Sequence, residues 1–327
     1  MSQTTGPKED GYVIHSFTRS QWKAIPPPST GGWSLPQPVS ILSKSIPPTV
    51  QVPVPKDAKQ MSDEEIKTLP EDVIRQMVYI SRLAYWDEQR ISSSPRIQRD
   101  LLSHMEEGFP IVIGSRNEHR PSAQMWLSKH SKTMVVVYRG AGTVGESLME
   151  HESKCQIHSG FLTEFNMIEP ILRQLLQGHH EKFKNLVFTG HGIGGALATI
   201  SAPHFASMCP QMKISCVTFG SPRVGDKSFC VWFNSVPNIE LKLRLILEDD
   251  PLTMFPSTAP YQHVQDAVCL RHDGRFEYWP DTVEGTRWDM PFSSLVMYIV
   301  SVFVHLQWEY DDRFTHAFDD IQRSKGA

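Results

Sequence analysis

The stretch NLVFTGHGIGGALATI, residues 185–200, decides how the rest of the chain is read. Its opening residues are apolar, β-branched and aromatic, a run short enough for a strand buried on both faces. Gly190, Gly192, Gly194 and Gly195 then crowd a tight turn, and an apolar helical pattern runs from Gly194 to Met208. A strand, a sharp turn and a helix in this order can lift a nucleophilic side chain above the end of a parallel sheet, with small residues on either side so that strand and helix approach closely. The apex of this turn is Gly192, which has no side chain to lift. Phosphate-binding turns use glycine as well, but no Lys-Ser/Thr pair follows Gly195, so a P-loop is not expected.

Segments of both periodicities flank the turn. FPIVIGS, SAQMWLSKH and KTMVVVYRG read as strands upstream, and GFLTEFNMIEPILRQLLQGHH as the helix that precedes the quoted stretch. Downstream, MKISCVTFG reads as a strand, GDKSFCVWFNSV as a helix and IELKLRLILED as a strand. This alternation predicts an α/β fold with a doubly wound, mostly parallel sheet. CLRHDGRFEYW, with an Asp-Gly turn between strand-like flanks, predicts a late hairpin insertion before the last helix.

Further upstream, MSDEEIKTLPEDVIRQMVYISRLAYWDEQR joins acidic caps to Val73, Met77, Ile80 and Leu83 at helical spacing. The compact domain is therefore expected over residues 61–327. Residues 1–60 carry ten prolines and no sustained period, which predicts an extended or disordered segment, with a protein partner for the Pro-rich stretch as the alternative role.

Composition narrows the function. The net charge of −4, with no run of five basic residues, leaves no electrostatic footprint for nucleic acid. Five cysteines without a CxxC pair read as buried thiols rather than disulfides. The N-terminus lacks the basic start and apolar core of a secretory leader, so a cytoplasmic location is expected, with secretion the alternative if a leader was removed. SSLVMYIVSVFVHLQW, residues 293–308, is shorter than the ~20 residues of a spanning helix and reads as a buried one, so no transmembrane segment is expected. The histidines show no zinc spacing, and neither a metal nor an organic cofactor is expected.

With four further stretches in matching order, FTGHGIGGALATI resembles the elbow of the class 3 lipases, an α/β-hydrolase family of fungi and plants. The family pattern there is Gly-His-Ser-Leu-Gly-Gly-Ala-Leu-Ala. MVVVYRG is similar to the strand that leads into the oxyanion loop, IHSGF at 157–161 to a Val-His-x-Gly-Phe segment, VTFGSPRVGD to the strand after the elbow, and EDDPLTMFP to the loop of the catalytic acid. The resemblance covers roughly residues 65–320. It implies a Ser-Asp-His type carboxylic ester hydrolase acting on acylglycerols or other esters. Residue by residue, it places the nucleophile position on Gly192, the acid on Asp250 with Asp249 as runner-up, and the base on His316 in FTHAFDDI with His305 as the alternative.

The oxyanion amides fall on Ala141 and Ile193. Family members carry Thr or Ser where this chain has Ala141, and Thr143 follows two residues on. His158, His191 and His263 match non-catalytic positions, and Ser221 lies away from the elbow apex. The lid falls on GTVGESLMEHESKCQ, which is polar apart from Val144, Leu148 and Met149 and so favours a soluble or single-chain ester over an emulsion surface.

Glycine forms no acyl-enzyme, and removing the serine from a comparable triad costs about 10⁶ in turnover. The first expectation is therefore a catalytically impaired lipase homologue that binds a lipid, an acyl ester or a protein partner. The second is a working triacylglycerol lipase or esterase, or one whose serine was replaced to trap substrate, and the third is a scaffold acting through its Pro-rich tail. The joint absence of the serine and of the oxyanion hydroxyl favours the first.

Overall fold

The computed structural model describes residues 13–15, 54–85, 110–114, 122–128, 131–139, 148–150, 154–256, 260–280 and 310–323. Ala141, Thr143, His305 and the apolar stretch 293–308 lie outside the described residues.

Strand β5 (Thr133–Arg139) sets out the layers. Side chains alternate across a strand with a period of two, and here Met134, Val136 and Tyr138 enter one apolar cluster while Val135 and Val137 enter a second on the opposite face. Both faces of the sheet are thus covered, as the β-branched run predicts.

The remaining strands are β1 (Val13–His15), β2 (Lys59–Gln60), β3 (Ile111–Gly114), β4 (Ser122–Ser128), β6 (Leu148–Glu150), β7 (Gln156–His158), β8 (Asn185–His191), β9 (Lys213–Phe219), β10 (Ile239–Leu247), β11 (Ala267–Leu270) and β12 (Phe276–Trp279). Among the described residues, ten of the twelve strands form one sheet in the order β1-β3-β4-β5-β8-β9-β10-β11-β12-β2. The centre, β5-β8-β9-β10-β11, is parallel, and both flanks are antiparallel.

Between the parallel strands run α3 (Ser159–His179), α4 (Ile193–Met208) and α5 (Lys227–Ser235). The crossovers β5 to β8, β8 to β9 and β9 to β10 all advance the same way along the sheet, and crossovers of one hand then place their helices on one face. Phe165, Leu172, Leu197, Phe205 and Phe229 accordingly share a single cluster. The other face is filled from the two ends of the domain. There α2 (Glu71–Leu83) contributes Ile74, Met77 and Ile80, and the helix over 310–323, α6, contributes Tyr310, Phe314 and Phe318.

Two sequence expectations are refined. The late hairpin is present as β11 and β12, but its first strand pairs in parallel with β10, Leu245 opposite Val268, so the hairpin extends the main sheet. The acidic, helix-patterned stretch is divided at Pro70 into α1 (Asp63–Lys67) and α2, because proline lacks the N–H that a continuous helix would need. Ser62 and Glu65 close a reciprocal capping box on α1.

Of the lid stretch, Leu148–Glu150 pairs antiparallel with Gln156–His158. All five cysteines are buried and none is in a disulfide. Among the described residues no helix is long and apolar enough to cross a membrane.

Candidate active site

The carboxyl ends of β8, β9 and β10 lie side by side and carry Gly192, Gly220 and Asp250 on the residues that follow them. Ligand sites of open parallel sheets form at such ends.

At the first, Gly192 adopts φ 57° and ψ −123° and caps α4. Its N–H donates to the Phe219 carbonyl at 2.9 Å and its carbonyl accepts from the Ala196 N–H at 3.2 Å, so the chain passes from sheet ladder to helix within one residue. A residue with a side chain at such a φ carries about 1–3 kcal/mol of strain, which glycine avoids. The neighbouring glycines explain the close approach. A β-carbon on Gly190 would lie 2.5 Å from the Gly194 carbonyl oxygen, and one on Gly195 would lie 2.9 Å from the Ser221 β-carbon. The turn therefore passes from strand to helix at a positive φ, with no side chain at its tip.

Ile193 opens α4, where the N–H groups of the first turn have no intrahelical acceptor and helix geometry favours negative charge. On the opposite side of the strand end, His191 is buried with its ring edge against Tyr310, centroids 5.1 Å apart. Burial lowers its pKa to about 3, so it stays neutral.

The corner around Asp250 is built from several elements. Asp250 is 1% exposed. Its Oδ1 accepts the Leu252 N–H at 3.0 Å, which caps the 3₁₀ turn Pro251–Met254, and its Oδ2 accepts the Tyr310 hydroxyl at 2.8 Å. The same hydroxyl accepts the Leu247 N–H at 3.0 Å. Gly220, at φ 58°, lies so close that a β-carbon there would strike Asp250 Oδ2 and sit 2.9 Å from Tyr310 Oη. Burial and the Asp250 charge hold the Tyr310 phenol well above its ordinary pKa, so it remains a donor.

Asp249, the runner-up acid, faces outward. Its side chain is 26% exposed and meets Arg313 at 3.0 Å and His272 at 3.4 Å. Of the two aspartates, only Asp250 is buried at the strand ends.

The loop after the acid is fastened by Arg223, a residue to which the sequence analysis assigns no role. Its N–H donates to the Phe255 carbonyl at 2.6 Å, and its guanidinium donates to the carbonyls of Met254 at 2.5 Å and Pro256 at 3.2 Å. His263 Nε2 donates to the Thr253 carbonyl at 2.7 Å. Burial, with Arg244 and Arg223 adding to it, holds His263 neutral. His158 stacks on Phe161 with centroids 4.2 Å apart.

His316, which the resemblance names as the base, lies on α6. It is exposed, and its Nδ1 donates to the Asp312 carbonyl of its own helix at 2.6 Å. It follows Tyr310 by six residues, about 240° around the helix, so a helix that presents Tyr310 to Asp250 turns His316 away. The sequence carries the signal that would have shown this. Tyr310, Phe314, Ala317 and Phe318 recur at helical spacing and form the buried face, and His316 falls off it.

Ser221 is buried beside the first turn of α4, with its hydroxyl donating to the Pro222 carbonyl at 3.2 Å. Among the described residues no group of three His, Cys, Asp or Glu side chains is placed to hold a metal ion.

A parallel sheet core with helices on both faces, a positive-φ turn after β8 and a buried aspartate after β10 is an arrangement of the α/β-hydrolase type. The sequence profile of the family Lipase (class 3) matches residues 116–259. Curated relatives include phospholipase A(1) DAD1, chloroplastic, of Arabidopsis thaliana, 26% identical over 50% of this chain and 38% of that protein. Another is the secreted mono- and diacylglycerol lipase 1 of Fusarium solani, 26% identical over 54% of this chain and 53% of that protein. The matches thus span about half or less of these relatives' length. Among solved structures, lipase II from Rhizopus niveus superposes with a TM-score of 0.53 at 18% identity, covering 72% of this chain and 93% of that one, which establishes the fold. Residues 116–259 are thus similar to the class 3 lipases, and the domain has the α/β-hydrolase fold.

Proposed function

We propose that this chain is a class 3 lipase homologue impaired at the nucleophilic step, which retains a place for an acyl ester or related lipid. The observation that carries the reading is Gly192, which keeps the positive-φ elbow conformation of a nucleophile and lacks the attacking atom. Water can take the vacated space, but without a covalent intermediate the remaining contribution is that of the polar groups around it. With His316 turned away, we assign the base of the ancestral arrangement to His305, which precedes the acid-bound Tyr310 by five residues.

The ligand class, a carboxylic ester with a single acyl chain, follows from the family and from the sparsely apolar lid stretch. The five cysteines, none in a disulfide, support a reducing, cytoplasmic setting. A protein partner of the Pro-rich N-terminal residues would act alongside this site.

Gly192→Ser tests the reading, with hydrolysis of p-nitrophenyl esters of short to medium chain as the assay. The unsubstituted protein is expected to be near background and the variant to gain at least about 10³-fold in kcat, part of the roughly 10⁶ that a nucleophile contributes. Measurable turnover by the unsubstituted protein, abolished by neither Asp250→Asn nor His305→Ala, would place hydrolysis elsewhere and overturn it. A folded, inert Gly192→Ser would show that the remaining groups no longer work together as a hydrolytic site.

A further inference from the structure

We infer that Tyr310 is the positioning residue of Asp250: its hydroxyl, bridging the Leu247 N–H and Asp250 Oδ2, sets both the rotation and the charge of the carboxylate at the head of β10. The inference rests on reading Asp250 as the acid of a class 3 lipase site and assigns to that acid the group that holds it.

The direction of the hydrogen bonds fixes the role of the phenol. The Leu247 N–H can only donate, at 3.0 Å, so it occupies a lone pair of the hydroxyl, and the hydroxyl's single proton is directed to Oδ2 at 2.8 Å. The other carboxylate oxygen, Oδ1, accepts the Leu252 N–H at 3.0 Å. One oxygen is thus held by the backbone of the acid's own turn and the other by a helix sixty residues further along the chain. Two anchors on different elements remove the rotational freedom that either alone would leave. A hydroxyl donating to a buried carboxylate also favours its ionised form, which a triad acid needs in order to orient and stabilise an imidazolium.

The surroundings are shaped for this contact. Gly220 presents bare backbone to the pair, and any β-carbon there would strike Oδ2 and crowd the phenol oxygen. Tyr310 is delivered by a firmly seated helix. Asp311 pairs with Arg82 of α2 at 2.7 Å, Asp319 pairs with Arg75 of α2 at 2.7 Å, and Arg313 pairs with Asp249 at 3.0 Å. The Tyr310 ring packs against His191 on one side and Phe314 on the other, so the hydroxyl has a fixed origin.

The test uses the full chain with 13C-carboxyl-labelled aspartate, the Asp250 signal being assigned by its loss in Asp250→Asn. Tyr310→Phe removes one oxygen and keeps the ring. The Asp250 titration midpoint is expected to rise by about one unit or more in this variant. On the Gly192→Ser background, Tyr310→Phe is expected to lower kcat about tenfold or more with KM nearly unchanged.

An Asp250 midpoint unmoved by Tyr310→Phe overturns the inference whatever the activity does. If the midpoint moves while Gly192→Ser stays inert, the positioning role stands and the reading of a silenced hydrolase is what fails. Should Tyr310→Phe not fold, the same bond is read from its other end, as the 13Cζ signal of Tyr310 in the unsubstituted protein and in Asp250→Asn. That signal is expected to shift, and one that ignores the change at Asp250 also overturns the inference.

Discussion

The elbow after β8 and the acid corner after β10 sit on strands separated only by β9, yet they depend on their side chains in opposite ways. At the elbow the backbone alone carries the geometry. Gly192 is bonded through its N–H and carbonyl, and a side chain at its φ adds strain. At the acid corner the side chain is part of the architecture. The Asp250 carboxylate caps the 3₁₀ turn and receives the Tyr310 hydroxyl from α6. The fold therefore needs no side chain at Gly192, whereas it uses the one at Asp250. A buried Asp250 is thus weak evidence that the site still works, because its structural duties alone suffice to keep it.

The largest effect that would sharpen this contrast is catalytic, the gain of at least about 10³-fold on Gly192→Ser described above. Its stability cost should be only about 1–3 kcal/mol, read by urea denaturation.

Next is Gly190→Ala, whose β-carbon would meet the Gly194 backbone and force α4 off β8. A loss of about 3 kcal/mol or more is expected from such overpacking against main chain. A variant that denatures like the parent would show that the elbow is looser than this close approach implies.

Asp250→Ala leaves the buried Tyr310 hydroxyl and Leu252 N–H without their acceptor, which costs about 2–4 kcal/mol. If it costs less than Gly192→Ser, the comparison is broken.

A smaller effect comes from the buried histidines. His191 is neutral in the native state down to about pH 3, whereas the unfolded chain takes a proton near the ordinary 6.5. The unfolded state binds more protons throughout that window, so this contribution is fully present above 6.5 and is lost as pH falls through the window, by about 1.4 kcal/mol per unit. His263, also held well below its ordinary value, adds in the same direction. Urea midpoints at pH 4, 5 and 6 should fall with pH, less steeply in His191→Phe. An unchanged slope in that variant would mean that His191 is protonated in the native state.

The smallest effect is His316→Ala, expected to change stability by less than about 0.5 kcal/mol and to leave the activity of Gly192→Ser intact. A loss of that activity would return His316 to the site despite its exposed place on α6.

Much of the fold was legible because its elements are local. The β-branched run at Thr133–Arg139, the turn glycines and the helical stripe from Val73 to Leu83 each state their geometry within a few residues. The elbow could be read for the same reason, since strand, apex and helix are contiguous. The hairpin at Asp273-Gly274 was legible as a hairpin, but the parallel pairing of β11 with β10 was not, because pairing joins residues with no periodicity in common.

The sequence by itself determined the strand, turn and helix of residues 185–208 and the glycine at the apex of that turn, because both are stated by residue identity at contiguous positions. Tertiary structure alone decided what meets Asp250. Asp250 and Tyr310 are sixty residues apart, and their 2.8 Å contact depends on how α6 rotates its apolar stripe onto the sheet, which also turns His316 into solvent. Helix rotation is set by the burial of an entire face, so the direction of His316 follows from the stripe of Tyr310, Phe314, Ala317 and Phe318 and not from the histidine alone.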